Sequence, residues 1–250
     1  MWMGLNVARG QDFSAVIDAA AAMIADTQKT SGEIPWSRGD KTDPWDHVEA
    51  AMGLSVAGYL DEARRAFEWM TQTQLGDGSW HASWMDGEPL EMRRDANMTS
   101  YIAVGVFHYF LITGDRGFLE WIWNTVENAI EFALSLQAPG GEIRWCVNQD
   151  GKVDPMALLT GSSSIHMSVK CALAVAEQLG LEKPAWRKSM EQLGNAIRNK
   201  PLLFNMTKSR YSMDWFYPIL CGAVTGESAR GRIEKYWKKN SMTWMPKIKP

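Results

Sequence analysis

The chain has 250 residues, 46% of them hydrophobic and 22% charged, with a formal net charge of -3. That usage excludes a disordered chain and a global basic field for nucleic acid, and the length suits one large domain or two small ones. Three widely spaced cysteines exclude a disulfide framework or a CxxC knuckle. The longest apolar run, 101–112, contains His108 and is too short to span a bilayer. The N-terminus has no basic segment followed by an apolar one, so a cytoplasmic protein is expected. Thirteen Trp residues are unusual and call for an explanation.

In chain order, Phe13, Val16, Ile17, Ala20, Met23 and Ile24 follow the i, i+3, i+4, i+7 spacing of an amphipathic helix over 11–28. Further helices are predicted over 44–58, 61–74, 96–113, 116–136, 162–179, 184–199, 214–224 and 228–239. Gly32, Gly114, Gly180 and Gly226 follow helical segments as stop signals. No stretch alternates cleanly enough to predict a strand. The expected class is all-α, with one domain over 1–240 and a basic tail over 241–250.

An internal repeat organises these helices. Gln28, Gly32, Glu33, Ile34 and Trp36 recur at one constant offset as Gln137, Gly141, Glu142, Ile143 and Trp145. Between them, Gln74, Gly78 and Trp80 form a third copy with the Trp two residues nearer. Each copy closes one helix and leads through a polar loop to the next, whose expected N-caps are Asp43, Asp95 and the serines from Ser162. Such a helical hairpin buries its apolar face only against neighbouring hairpins. Trp36, Trp80 and Trp145 are therefore read as packing beneath the turns, and Trp121 and Trp123 as packing along a helix.

The middle copy extends upstream through Arg65, Ala66, Trp69, Met70 and Gln74 to Gly78-Ser79-Trp80. It resembles the QW motif of the terpenoid cyclase and protein-prenyltransferase superfamily, and residues 10–226 resemble bacterial prenyltransferase-like or squalene–hopene-cyclase-like proteins. The resemblance implies an α/α toroid, a ring of antiparallel helical hairpins whose inner helices line a cavity. A complete six-hairpin ring needs about twelve helices, whereas about nine are predicted here. The ring is therefore expected to be incomplete, shortened, or completed by a second copy in a homo-oligomer. The superfamily's chemistry does not carry over: the chain has neither DxDD nor DDxxD, and His166 and Cys171 lack the neighbouring carboxylate of a zinc set.

Inner helices of such a ring start at one rim, which gathers the segments around Asp43, Asp95 and 211–217. Asp46, Glu49, Asp95 and Asp214 are the candidate catalytic carboxylates, with Glu49 expected to be buried and its pKa raised. Trp45, His47, Trp84, Arg93, Arg94, Tyr101, Trp215 and Tyr217 are the candidate substrate-binding residues, and His81 joins them at the mouth. No metal site is expected; Mg²⁺ enters only if Arg93 and Arg94 hold a diphosphate. The leading expectation is a prenyltransferase-like or cyclase-like enzyme with an apolar isoprenoid in its cavity. The alternative is a six-hairpin glycosidase-like enzyme that uses two carboxylates and stacking aromatics on a carbohydrate. A second alternative is a non-catalytic toroid binding protein. No reading involves nucleic acid or a transmembrane segment.

Overall fold

Long helices form where the apolar spacing predicts them. The computed structural model describes residues 13–208 and 213–244. Helices α1 (Ser14–Thr27), α2 (Pro44–Val56) and α3 (Leu60–Thr73) come first. A loop carrying β1 (Ser83–Met85), β2 (Glu88–Glu91) and β3 (Arg94–Asp95) then enters α4 (Ala96–Ser100) and α5 (Ile102–Thr113). Next come α6 (Arg116–Ser135), β4 (Cys146–Val147), α7 (Leu159–Leu179) and α8 (Pro184–Asn199). Short 3-10 turns, α9 (Tyr217–Leu220) and α10 (Gly226–Trp244) follow. Among the described residues no helix is long and apolar enough to cross a membrane.

Packing sorts the helices into two layers. α2 lies on α5, α5 on α7 and α7 on α9, which makes an inner row backed by α3, α6 and α8. The fold is all-α, an α/α toroid of helical hairpins around one continuous apolar core. Close approach of α2 and α5 depends on Gly105, where a Cβ would stand 2.5 Å from Val48 Cγ1. That packing explains a glycine in a helix interior, where it otherwise costs about 1 kcal/mol.

The repeat is a structural staple used three times. Gln28 Nε2 donates to the Gly32 carbonyl at 3.0 Å and to the Glu62 carbonyl in α3 at 2.9 Å. Gln74 repeats this with Gly78 and with Thr125 in α6, both at 2.9 Å. Gln137 does so with Gly141 at 3.0 Å and Ser189 in α8 at 2.9 Å. Each glycine has φ near +90°, at +93°, +87° and +100°, and presses on the backbone of the next outer helix. An added Cβ would sit 2.1, 2.3 or 2.6 Å from the carbonyl oxygens of Arg65, Asn128 and Gln192. The Gln thus ties each turn to the next hairpin, and only glycine gives both the dihedral and the clearance.

Several expectations need correction. The residue packed under each turn is Ile34, Trp80 or Ile143, all nearly inaccessible, whereas Trp36 is 55% exposed. Trp36 and Trp145 are therefore not the packing equivalents of Trp80. Short strands exist: β1 and β2 pair antiparallel across Asp86-Gly87, and β3 pairs with β4. Both turn residues have positive φ, 53° and 83°, as a two-residue hairpin requires. α7 starts at Leu159, before the serines expected to cap it, because Asp214 supplies a cap from far along the chain (below). The helix expected over 214–224 is reduced to α9, preceded by a 3-10 turn at Met213–Trp215. α1 leaves Phe13, Val16, Ile17 and Met23 exposed and rests on α2 near Ala21 and Ile24. α10 continues through 241–244 of the expected tail. Tyr211 and residues 245–250 lie outside the described residues.

Candidate active site

The loops that lead from outer to inner helices lie side by side on one rim. Thr42 and Trp84 exchange backbone hydrogen bonds at 3.0 and 2.8 Å, joining the first loop to the second. Arg94 pairs with Val147 and Asp95 with Cys146, joining the second to the third. The starts of α2, α4 and α7 are thereby brought to a continuous edge.

At the start of α2, Pro44 occupies the first turn and Asp43 is the N-cap, accepting from the Trp45 and Asp46 amides at 2.9 and 3.0 Å. The Trp36 indole donates to Asp43 Oδ2 at 2.6 Å. One turn in, Asp46 reaches solvent in an open cavity of about 710 Å³, whose walls include Met23, Ile24, Ile34, Trp36 and Ala50. Its pKa is raised to about 6, first by burial of the carboxyl against these walls, then by the charge of Asp43, a hydrogen bond shared with Asp43, and the charge of Glu49. The Trp36 indole opposes the shift. Asp46 is exposed, as Glu49 is, and its carboxyl is shifted towards the protonated form relative to an ordinary aspartate.

Glu49 lies a turn beyond Asp46 and is exposed, contrary to the expected burial. Its Oε1 accepts from Trp45 Nε1 at 2.9 Å and Tyr101 Oη at 3.2 Å. Trp45 and Tyr101 stack with centroids 3.8 Å apart and planes 10° from parallel. Burial pushes the Tyr101 phenol far up, reinforced by the Glu49 charge, so it stays a donor. The Tyr217 phenol is also raised, by burial first, then by Cys221 and Glu49. Trp45, Glu49, Tyr101 and Tyr217 thus share one neighbourhood.

The remaining candidates serve the frame. His47 is 1% exposed: its Nδ1 accepts from the Ile34 amide at 3.1 Å, which leaves Nε2 to donate to the Ala66 carbonyl at 2.9 Å. Burial lowers its pKa to about 4, so it is a neutral tie between α2, α3 and the first loop, with no nitrogen left for substrate. Trp84 is buried edge-on against Trp69 at 5.4 Å, and His81 Nδ1 lies 3.2 Å from the Met92 carbonyl. Asp95 stands at the start of α4 but caps nothing; both its oxygens accept from Arg93 Nε, at 2.9 and 3.2 Å. Burial raises its pKa against the pull of Arg93. Asp214 accepts from the Thr160 amide and hydroxyl at 3.1 and 2.6 Å, which explains the early start of α7. Trp215 packs on Phe216 and Trp237. Arg93 also binds Glu91 at 2.8 Å, and Arg94 binds Asp77 at 2.5 Å. Both arginines are thus paired with acids of their own loop region. Among the described residues no group of three or more His, Cys, Asp or Glu could hold a metal.

Trp36 is the site residue that sequence reasoning missed. It lies in the polar loop Pro35-Trp36-Ser37-Arg38, outside any helical spacing, which is the signal for an aromatic with no helix to bury it.

No family model matches the chain. It is 48% identical over 217 residues to the MMP endo-(1,4)-3-O-methyl-alpha-D-mannosidase of Mycolicibacterium hassiacum, a match covering 87% of this chain. The chain spans only 60% of the length of that relative. Among solved structures, the fold is similar to a rhamnosidase from Klebsiella oxytoca, with TM-score 0.60 and 15% identity over 93% of this chain and 48% of that one. It is also similar to a glycoside hydrolase family 76 mannosidase from Bacteroides thetaiotaomicron, with TM-score 0.52 and 11% identity over 75% and 60%.

These likenesses overturn the terpenoid-cyclase and prenyltransferase resemblance, and with it the isoprenoid cavity. The toroid fold is similar to that of these two glycosidases. The QW-like string misled because Gln74, Gly78 and Trp80 report how a hairpin turn docks on its neighbour, a demand shared by toroids of unrelated chemistry.

Proposed function

We propose that this chain is a glycoside hydrolase acting on α-(1,4)-linked mannosides that carry 3-O-methyl groups, with Asp46 as its proton-transferring carboxylate. The substrate class is supported by the 48% identity to the mycobacterial mannosidase. The observation that carries the site assignment is the Asp46 carboxyl, raised to about 6 in a cavity walled by the exposed Trp36 indole. A partly protonated acid beside an aromatic face is what protonation of a glycosidic oxygen requires, with the indole packing on the sugar's C–H face.

Glycoside hydrolysis uses a second carboxylate across the scissile bond. Asp95 and Asp214, once candidates for that part, are held by Arg93 and by the start of α7, and in this reading they position the rim. Glu49 has a different role. By accepting from both Trp45 and Tyr101 it locks their stack, so it is a positioning residue.

The test incubates the chain with 3-O-methylated α-(1,4)-mannooligosaccharides and reads chain lengths by mass spectrometry. Shortened products from wild type, lost in folded Asp46→Asn, are expected. Intact oligosaccharide after incubation with folded wild type overturns the reading.

A further inference from the structure

A second cavity, of about 560 Å³, opens on the same rim between the end of β2 and the turn after β4. Its walls include Leu90, Met92, Arg93 and Gln149. Leu90 and Met92 are 51% and 43% exposed, an expensive display of apolar surface on a hairpin edge. The opposite wall is ordered by its own bonds. Asn148 accepts from the Gly151 amide at 2.9 Å and donates its amide to Lys152 at 2.8 Å, and Asp150 accepts from the Lys152 amide at 3.1 Å. Gln149 Nε2 spans the cavity to Met92 Sδ at 3.4 Å. Arg93 is fixed between Glu91 and Asp95, with its guanidinium 5.1 Å from the Trp145 ring centroid.

The charges around this cavity are satisfied within the protein: Arg93 by two acids, Asp150 by Lys152 at 2.8 Å. Internal pairing of these charges suits a neutral ligand better than a charged one. Exposed apolar side chains beside a carboxamide suit a molecule with hydroxyls and methyl groups together. The rim also leads here from Asp46: Asp43 and Asp95 lie within electrostatic reach, and Asp95 is bound by Arg93 of the cavity wall.

We propose that this cavity is a second carbohydrate subsite, remote from Asp46 along the rim, that binds O-methylated sugar units of a long substrate. Leu90 and Met92 cover methyl ethers, and the Gln149 carboxamide meets ring hydroxyls. The proposal rests on the glycosidase reading for its ligand, but its test does not need turnover. In the Asp46→Asn background, calorimetric titration compares a long 3-O-methylated α-(1,4)-mannooligosaccharide with the corresponding disaccharide. Leu90→Ser combined with Met92→Ser lowers the ratio of long to short affinity about tenfold. An unchanged ratio overturns the proposal. The Met92 methyl resonance of wild type is followed separately on adding the long oligosaccharide. If wild type cleaves nothing, a shifted resonance still supports the subsite, and a stationary one rejects it.

Discussion

The back and the front of each hairpin loop obey different rules. At the back, Gln28, Gln74 and Gln137 make the same two hydrogen bonds, and Gly32, Gly78 and Gly141 press on the same kind of backbone carbonyl. At the front, the loops diverge within a few residues. Trp36 faces the Asp46 cavity, Trp145 lies under Arg93, and the middle loop has Ala82 at that place and extends into the β1–β2 hairpin. The repeated atoms hold the toroid together, and the unrepeated ones line the candidate site.

This division can be broken at either side. The largest effect is expected at the front, where Asp46→Asn lowers kcat/KM by about 10²–10⁴-fold while the denaturation midpoint does not fall, read by kinetics and urea unfolding on one preparation. At the back, Gly78→Ala costs about 2–5 kcal/mol, since strain at positive φ adds to a clash with the Asn128 carbonyl. Gly39 has φ +79° but nothing within 4 Å of an added Cβ, so Gly39→Ala, with strain alone, costs about 1 kcal/mol in the same assay. Equal costs would show that the turn does not press on α6.

His47 gives a pH test of the frame. Folded His47 stays neutral down to about pH 4, whereas the unfolded chain takes up its proton near 6.5. Its contribution is present above pH 6.5 and is lost as pH falls towards 4, by about 3 kcal/mol. His47→Gln should flatten that part of the stability–pH curve. Gln74→Ala costs about 1–3 kcal/mol, because two carbonyls lose a donor. Thermal unfolding measures it.

Although the spaced face of α1 is exposed and the helix expected over 214–224 is cut to four residues, most of the long helices were legible in the sequence from their apolar spacing. So were Asp43 as a cap, where Pro44 and a following acid mark a helix start, and the Gln–Gly repeat. The start of α7 was not legible, since its cap comes from Asp214 across the fold and no local signal encodes it. The β1–β2 hairpin was overlooked although Asp86-Gly87 is a strong two-residue turn signal; its strands are too short to show alternation. In the site, Asp46 was visible as a rim acid, but its raised pKa depends on the cavity walls, Asp43 and Glu49 brought together by folding, against the opposing Trp36 indole. Glu49 was expected to be buried and is exposed, as Asp46 also is, so exposure alone does not separate the two acids. His47 illustrates the converse, since a histidine in a rim motif has both nitrogens consumed by backbone.

The most direct test is the pH profile of kcat/KM on a 3-O-methylated α-(1,4)-mannooligosaccharide, for wild type and for Asp43→Asn, which keeps the helix cap but removes the neighbouring charge. The account predicts a fall in wild-type rate above an apparent pKa near 6, and a fall that begins at lower pH in the variant. A wild-type profile flat from pH 5 to 8, or a limb that does not move when Asp43 loses its charge, would contradict the assignment of Asp46 as the acid.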